Sequence, residues 1–166
     1  MPVSDADLTT LAAGHDIITL GMHADEARRE RHGVRTTFLR VAEVSSEPGS
    51  PIPIPEAARE IRIIGKPASR QAAIARVREV VAVSRGIAVS AFSLADLEVL
   101  AAREHVTLRS LLEELHSAGL ELVAEAPVDL LQDPRRSIEE VNIAGLALAR
   151  LTVHEMPEAE AVACYQ

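Results

Sequence analysis

The chain of 166 residues has one cysteine, one lysine, no tryptophan and three aromatic side chains, Phe38, Phe92 and Tyr165. Each shortage excludes something. The lone thiol, Cys164, stands two residues from the end, so there is no internal disulfide framework. An iron–sulfur cluster needs several thiolates at close spacing, and one chain of this sequence cannot supply them. With so few aromatics, the core has to be built from Ala, Val, Ile and Leu. No apolar run approaches the roughly 20 residues that cross a bilayer, and the opening MPVSDADL lacks the basic start and apolar stretch of a signal peptide. These absences lead us to expect a soluble cytoplasmic protein with no membrane partner.

Net positive charge is missing as well. A formal charge of −8 argues against a nucleic-acid binder, which needs a basic stripe to displace phosphate counterions. The one basic cluster, Arg28, Arg29, Arg31 and Arg35, is interleaved with Asp25, Glu26 and Glu30. That pattern reads as a solvated helix face laced with i,i+4 pairs.

What is present alternates. Ser4-Asp5-Ala6-Asp7 can cap a short helix through Ala12, and a second helix is expected from Asp16 to Arg31, closed by Gly33. A strand follows over Arg35–Val44, then the proline-rich loop SSEPGSPIPIP from Ser45 to Pro55. Further strands are expected at Glu60–Ile64, at Gly86–Ala91, around Leu122–Ala124 and at Leu151–Met156. Helices capped by Ser69, by Ser93 with Asp96, by Thr107 and by Ser137-Ile138-Glu139-Glu140 lie between them. The strands read as continuous apolar runs, the mark of a parallel sheet built from βαβ units. About five strands are too few for a closed eight-stranded barrel of about 250 residues. The expected fold is α/β: an incomplete (β/α) barrel of mostly parallel strands with helices packed outside. Residues 1–34 would form an N-terminal helical extension, 35–156 the partial barrel and 157–166 an acidic tail.

Candidate chemistry is thin. His15, His23 and His32 are spaced by eight and nine residues, so no two form the i,i+3 or i,i+4 pair of a helical metal site, and we expect no metal. Gly65-Lys66-Pro67-Ala68-Ser69 opens a helix and could present amides to an anion, without the glycine pattern of a nucleotide loop. The carboxylates Glu125, Asp129 and Glu155 fall near strand ends, the edge where α/β sheets bind ligands. They are the candidate acid–base residues.

Three collinear stretches resemble the radical S-adenosylmethionine enzymes of futalosine-dependent menaquinone biosynthesis, aminofutalosine synthase and dehypoxanthine futalosine cyclase, and the related deazaflavin-precursor synthase. The first runs from Leu20-Gly21 through Ala24-Asp25-Glu26-Ala27-Arg28-Arg29 to His32-Gly33 and Thr37-Phe38. The second is Ile87-Ala88-Val89-Ser90-Ala91-Phe92-Ser93 with the leucine-rich helices to Leu120, and the third Ser137 to Leu148, ending in Val153-His154-Glu155-Met156. The resemblance implies a barrel, an iron–sulfur cluster and bound S-adenosylmethionine, and it points to Phe92, Ser93, Asp129 and His154 as ligand-binding residues. The departures matter equally. The family's three-cysteine loop is replaced by Val41-Ala42-Glu43-Val44-Ser45-Ser46-Glu47-Pro48, its glycine-rich turn by Glu125-Ala126-Pro127, and its later strands are missing. Neither cofactor is therefore expected here. The sequence suggests a degenerate, non-catalytic relative that binds a ligand or a partner, either a complete enzyme of the same pathway or a second copy in a homodimer. The alternative is an enzyme of another class that uses the sheet-edge carboxylates.

Overall fold

The computed structural model describes residues 9–10, 13–14, 16–35 and 38–153, and the chain divides into two compact units, Met1–Phe38 and Leu39–Gln166. The expected helix through Ala12 and the tail fall largely outside the described residues. In the first unit, helix α1 covers Ile17–His32. Asp16 caps it, one carboxylate oxygen accepting from the Ile18 and Thr19 amides and the other from the Thr19 hydroxyl at 2.7 Å. The hydroxyl bond is the main reason the Asp16 carboxyl titrates below its usual range. Gly33, at φ +64°, ends the helix, a left-handed position that glycine fills without strain.

The second unit is α/β. Its elements are β1 (Arg40–Ser45), β2 (Ala58–Ile64), α2 (Arg70–Val83), β3 (Ala88–Ser93), α3 (Leu94–Arg103), α4 (Leu108–Ser117), β4 (Leu122–Pro127), α5 (Pro134–Ile143), β5 (Ala147–Leu148) and β6 (Leu151–Thr152). All strands run parallel in the order β1-β2-β3-β4-β5, and β6 also pairs with β4. Leu122 lies opposite Ala147 and Ala126 opposite Leu151, so β5 and β6 are two pieces of one edge strand in the same register. The result is an open, five-stranded parallel sheet. Sequential order means every crossover steps the same way, and the right-handed rule then sends the helices to one face.

That face holds the core. Val44, Ile61, Ile63, Val89, Ala91 and Val123 point into it from the strands, and Val77, Val80, Leu97, Leu111, Leu112 and Leu115 from the helices. Among the described residues the packing is aliphatic apart from one aromatic, Phe92. The opposite face is polar in its middle. There Glu43, Arg62, Ser90, Leu122 and Ala147 lie side by side across the sheet. No helix of the described residues is long and apolar enough to cross a membrane.

Several boundaries differ from the sequence reading. The first strand begins at Arg40 instead of Arg35. Helix α5 starts four residues earlier than the expected Ser137 box: Asp133 is the cap, accepting from the Arg136 amide at 3.1 Å, with Pro134 in the first turn. Ser137 sits inside the helix, buried, and donates its hydroxyl to Glu98. Ser93 does precede α3, but its side chain makes no capping bond, and Asp96 pairs with Lys66 at 3.0 Å. Ser69 and Thr107 cap α2 and α4 as expected, each accepting an amide three residues on at 3.1 Å.

The segment between β1 and β2 has no crossover helix. Ile52 and Ile54 pack against the core while the prolines between and beside them are exposed. Arg76 of α2, fully buried, holds this strap from beneath. Its Nε donates to the Ser45 carbonyl at 2.8 Å, and one terminal nitrogen donates to the Ser50 carbonyl at 3.1 Å and to Glu79 at 2.8 Å. Glu79 also accepts from the Gly49 amide at 3.2 Å.

Candidate functional site

The carboxyl edge of the sheet gathers most of the expected residues. At the end of β3, Phe92 takes φ +59° while 2% exposed. A left-handed conformation is costly for a non-glycine residue, and burial of the ring holds it there. Ser93 still belongs to the strand, and α3 starts directly after it. In the β3–β4 ladder Ser93 lies opposite Glu125, so sequence residues 32 apart become neighbours. Glu125 is not a free carboxylate: Arg150, just before β6, donates to its Oε2 at 2.9 Å. Asp129 follows β4, half-buried, in the turn closed by the Leu130 amide on the Pro127 carbonyl at 3.0 Å. Phe92, Ser93, Glu125 and Asp129 therefore share one edge. His154 and Glu155 lie outside the described residues.

Helix α3 braces this edge on both sides. Toward β2, Asp96 holds Lys66, the Arg103 guanidinium donates to the Ala68 carbonyl at 2.7 Å, and Glu104 accepts from the Arg70 amide at 2.7 Å. Toward β4, Glu98 accepts from the Gln132 amide at 3.4 Å and from the Ser137 hydroxyl. At the start of α2, where an external anion was conceivable, the Arg70 amide already faces the chain's own Glu104 and the Ala72 amide the Ser69 hydroxyl. Gly65, at φ +100°, leaves no room for a side chain, since a Cβ would meet Ser46 Oγ at 2.8 Å.

A groove of about 610 Å³ opens between α3, α4 and α5, lined in part by Glu98, Val106, Arg109, Asp133, Arg136 and Glu140. Its charges are largely matched internally. Arg109 donates to Glu140 at 2.5 Å. That bond, then the charge itself, holds the Glu140 carboxyl below the usual range and raises Arg109. A carboxylate held ionised by an arginine is a poor proton donor or acceptor near neutral pH.

Two clusters carry no signature in the sequence. On the open face, Glu60 Oε1 accepts from Arg62 Nε at 3.0 Å, from its terminal nitrogen at 2.7 Å and from Ser90 Oγ at 2.7 Å. Arg62 is visible two residues from Glu60, but Ser90 reaches it only through strand pairing. The Arg76–Glu79 pair has the i,i+3 spacing of an ordinary surface pair, and nothing local marks Arg76 as buried. Among the described residues no group of three or more His, Cys, Asp or Glu is placed to hold a metal ion. The strap offers backbone, hydroxyls and two carboxylates, Glu47 and Glu56, but no thiol, so an iron–sulfur cluster does not fit the place the resemblance assigns to it. No protein-family model matches the chain, and no curated protein or solved structure matches it either.

Proposed function

We propose that the chain is a degenerate relative of the radical S-adenosylmethionine enzymes of the futalosine group, an incomplete (β/α) barrel that acts by binding and not by radical catalysis. One observation supports this reading best. Where those enzymes carry their cysteine loop, the chain has a strap whose Ile52 and Ile54 pack on the core and whose backbone is tied to Arg76 and Glu79. A segment so occupied has a structural job. The open sheet, lacking the strands that close a barrel, is the surface on which a partner would complete the fold, whether a second copy or a complete enzyme of the same pathway. Anaerobic reconstitution with iron and sulfide tests the reading. We expect no thiolate-to-iron absorption and no S-adenosylmethionine binding by calorimetry, and a coloured protein that binds the cofactor would overturn it.

The placement of Ser93 against Glu125 favours a second reading, an enzyme of another class working at the carboxyl edge. In that case Glu125→Gln abolishes a turnover that Arg150→Ala leaves partly intact. On the binding reading both substitutions act only on stability, through the same ion pair.

A further inference from the structure

We propose that two copies of this chain join edge to edge, β1 of each pairing in parallel with the β5–β6 strand of the other, to close a parallel barrel around a polar lumen. The inference rests on the partial-barrel reading above and names the partner as a second copy.

Strand direction is the first argument. All strands are parallel and stand in chain order, so both edges of the sheet point the same way. A two-fold axis along the barrel then brings each β1 edge to a β5–β6 edge in parallel, at two equivalent seams. The edges match in length, Arg40–Ser45 on one side and the run from Ala147 to Thr152 on the other. Neither contains a proline, the residue that most simply blunts an edge. On β1 the Ser46 amide donates inward to the Ile64 carbonyl at 2.8 Å. By the alternation of an extended strand, the Glu43 and Ser45 amides point outward, toward the side on which no described strand pairs.

The second face of the sheet, on which no described helix of this unit packs, is the second argument. Parallel sheets are almost always covered on both faces, and here the helices take one. On the other face Glu60 and Ser90 are already buried among their neighbours, while Glu43 is exposed and Arg62 half-buried, so another apolar layer would desolvate the Glu43 carboxylate and the Arg62 guanidinium. Ring closure covers the same face without desolvating it. An eight-stranded barrel is about wide enough for side chains to fill, whereas a wider ring leaves space inside. Five strands from each copy give the wider ring, and its lining would be Glu43, Glu60, Arg62 and Ser90 with small residues such as Ala88, Ala124 and Ala147. The seam also covers Leu151, 46% exposed on the edge strand.

Sedimentation at micromolar concentration, with backbone hydrogen exchange on the same sample, tests the seam. We expect a species of twice the 17.8 kDa chain mass and slow exchange at the Glu43 and Ser45 amides that becomes fast on dilution. Glu43→Pro removes an outward donor and no β1–β2 bond, so it should give a folded monomer by circular dichroism. If that variant does not fold, the exchange data on the unaltered chain decide. A monomer, or a dimer in which the Glu43 and Ser45 amides exchange freely, overturns the proposal. Neither result bears on the parent reading, which fails separately if iron and sulfide reconstitute a cluster.

Discussion

Arg76 has no exposed surface, yet its guanidinium faces one carboxylate and two backbone carbonyls while its second terminal nitrogen is buried without an acceptor. A buried charge so divided is a positional device, since its net worth in stability is modest but its removal strands its partners. Arg76→Ala should lower unfolding stability by about 3 kcal/mol, chiefly through the orphaned Ser45 and Ser50 carbonyls. Arg76→Lys should recover little of it, because a single ammonium cannot reproduce the fork. Urea denaturation followed by circular dichroism measures both, and limited proteolysis within 46–57 reports whether the strap has come loose. The same clip has a pH signature. The Arg76 bond first, and the Gly49 amide second, hold the Glu79 carboxyl below its usual range. Its contribution is thus fully present at neutral pH and disappears as acid takes the pH through the ordinary glutamate range and past the depressed value. The stability gap between the unaltered chain and Glu79→Gln should shrink on acidification over that interval. A gap that stays constant would mean the carboxylate does not hold the strap. Phe92 sets two effects against each other. Phe92→Gly relieves left-handed strain of about 1–3 kcal/mol but forfeits a buried ring worth about 3–5 kcal/mol. The variant should be destabilised by about 2 kcal/mol, and one at least as stable as the parent would mean the strain exceeds the packing.

At the scale of elements, local chemistry was legible where a cap or a glycine acts alone. Ser69, Thr107 and Gly33 do what their positions suggest, whereas Asp16, expected as the first residue of its helix, is its cap. Helix α5 was misread because two caps compete within five residues. Asp133-Pro134 and Ser137-Ile138-Glu139-Glu140 are both good starts, and the choice falls to a tertiary bond, Ser137 on Glu98, that no local pattern encodes. Asp133→Ala should therefore cost about 1 kcal/mol as a lost cap. Ser137→Ala should cost a comparable amount for a different reason, so in a double-mutant cycle only Ser137 should couple to Glu98→Gln. The strap was read as a surface loop, yet its alternation of Ile and Pro was visible. Prolines at 51, 53 and 55 face out and isoleucines at 52 and 54 face in, a half-buried extended segment without a ladder. The candidate edge was legible in part. Ser93 and Glu125 could be placed near strand ends, but the Arg150 partner of Glu125 follows only from β5–β6 lying beside β4.

Over the whole second unit, one aliphatic cluster runs from Val44 in β1 through Leu97, Leu111 and Leu112 to Leu146 just before β5. It reaches every layer without interruption, so the unit should unfold as one cooperative body. Leu112→Ala, fully buried in the middle of it, should cost about 2–5 kcal/mol. The expected result is a lower urea midpoint at an unchanged slope, since the slope reports the surface exposed on unfolding. A shallower slope would mean that the helices and the sheet let go separately. The same cluster sets where the molecule is firm and where it is available. Amides of Ile61, Ile63, Val89, Ala91 and Val123, in strands paired on both sides, should exchange only through global unfolding. The edge strands lean on one neighbour each and should open more readily when the chain is dilute. If a partner completes the sheet, mass action ties stability to concentration, and the thermal midpoint should rise as the protein is concentrated while Leu112→Ala shifts the entire curve downward. A midpoint independent of concentration would leave the open face without a partner of its own kind and turn attention to the groove between α3, α4 and α5.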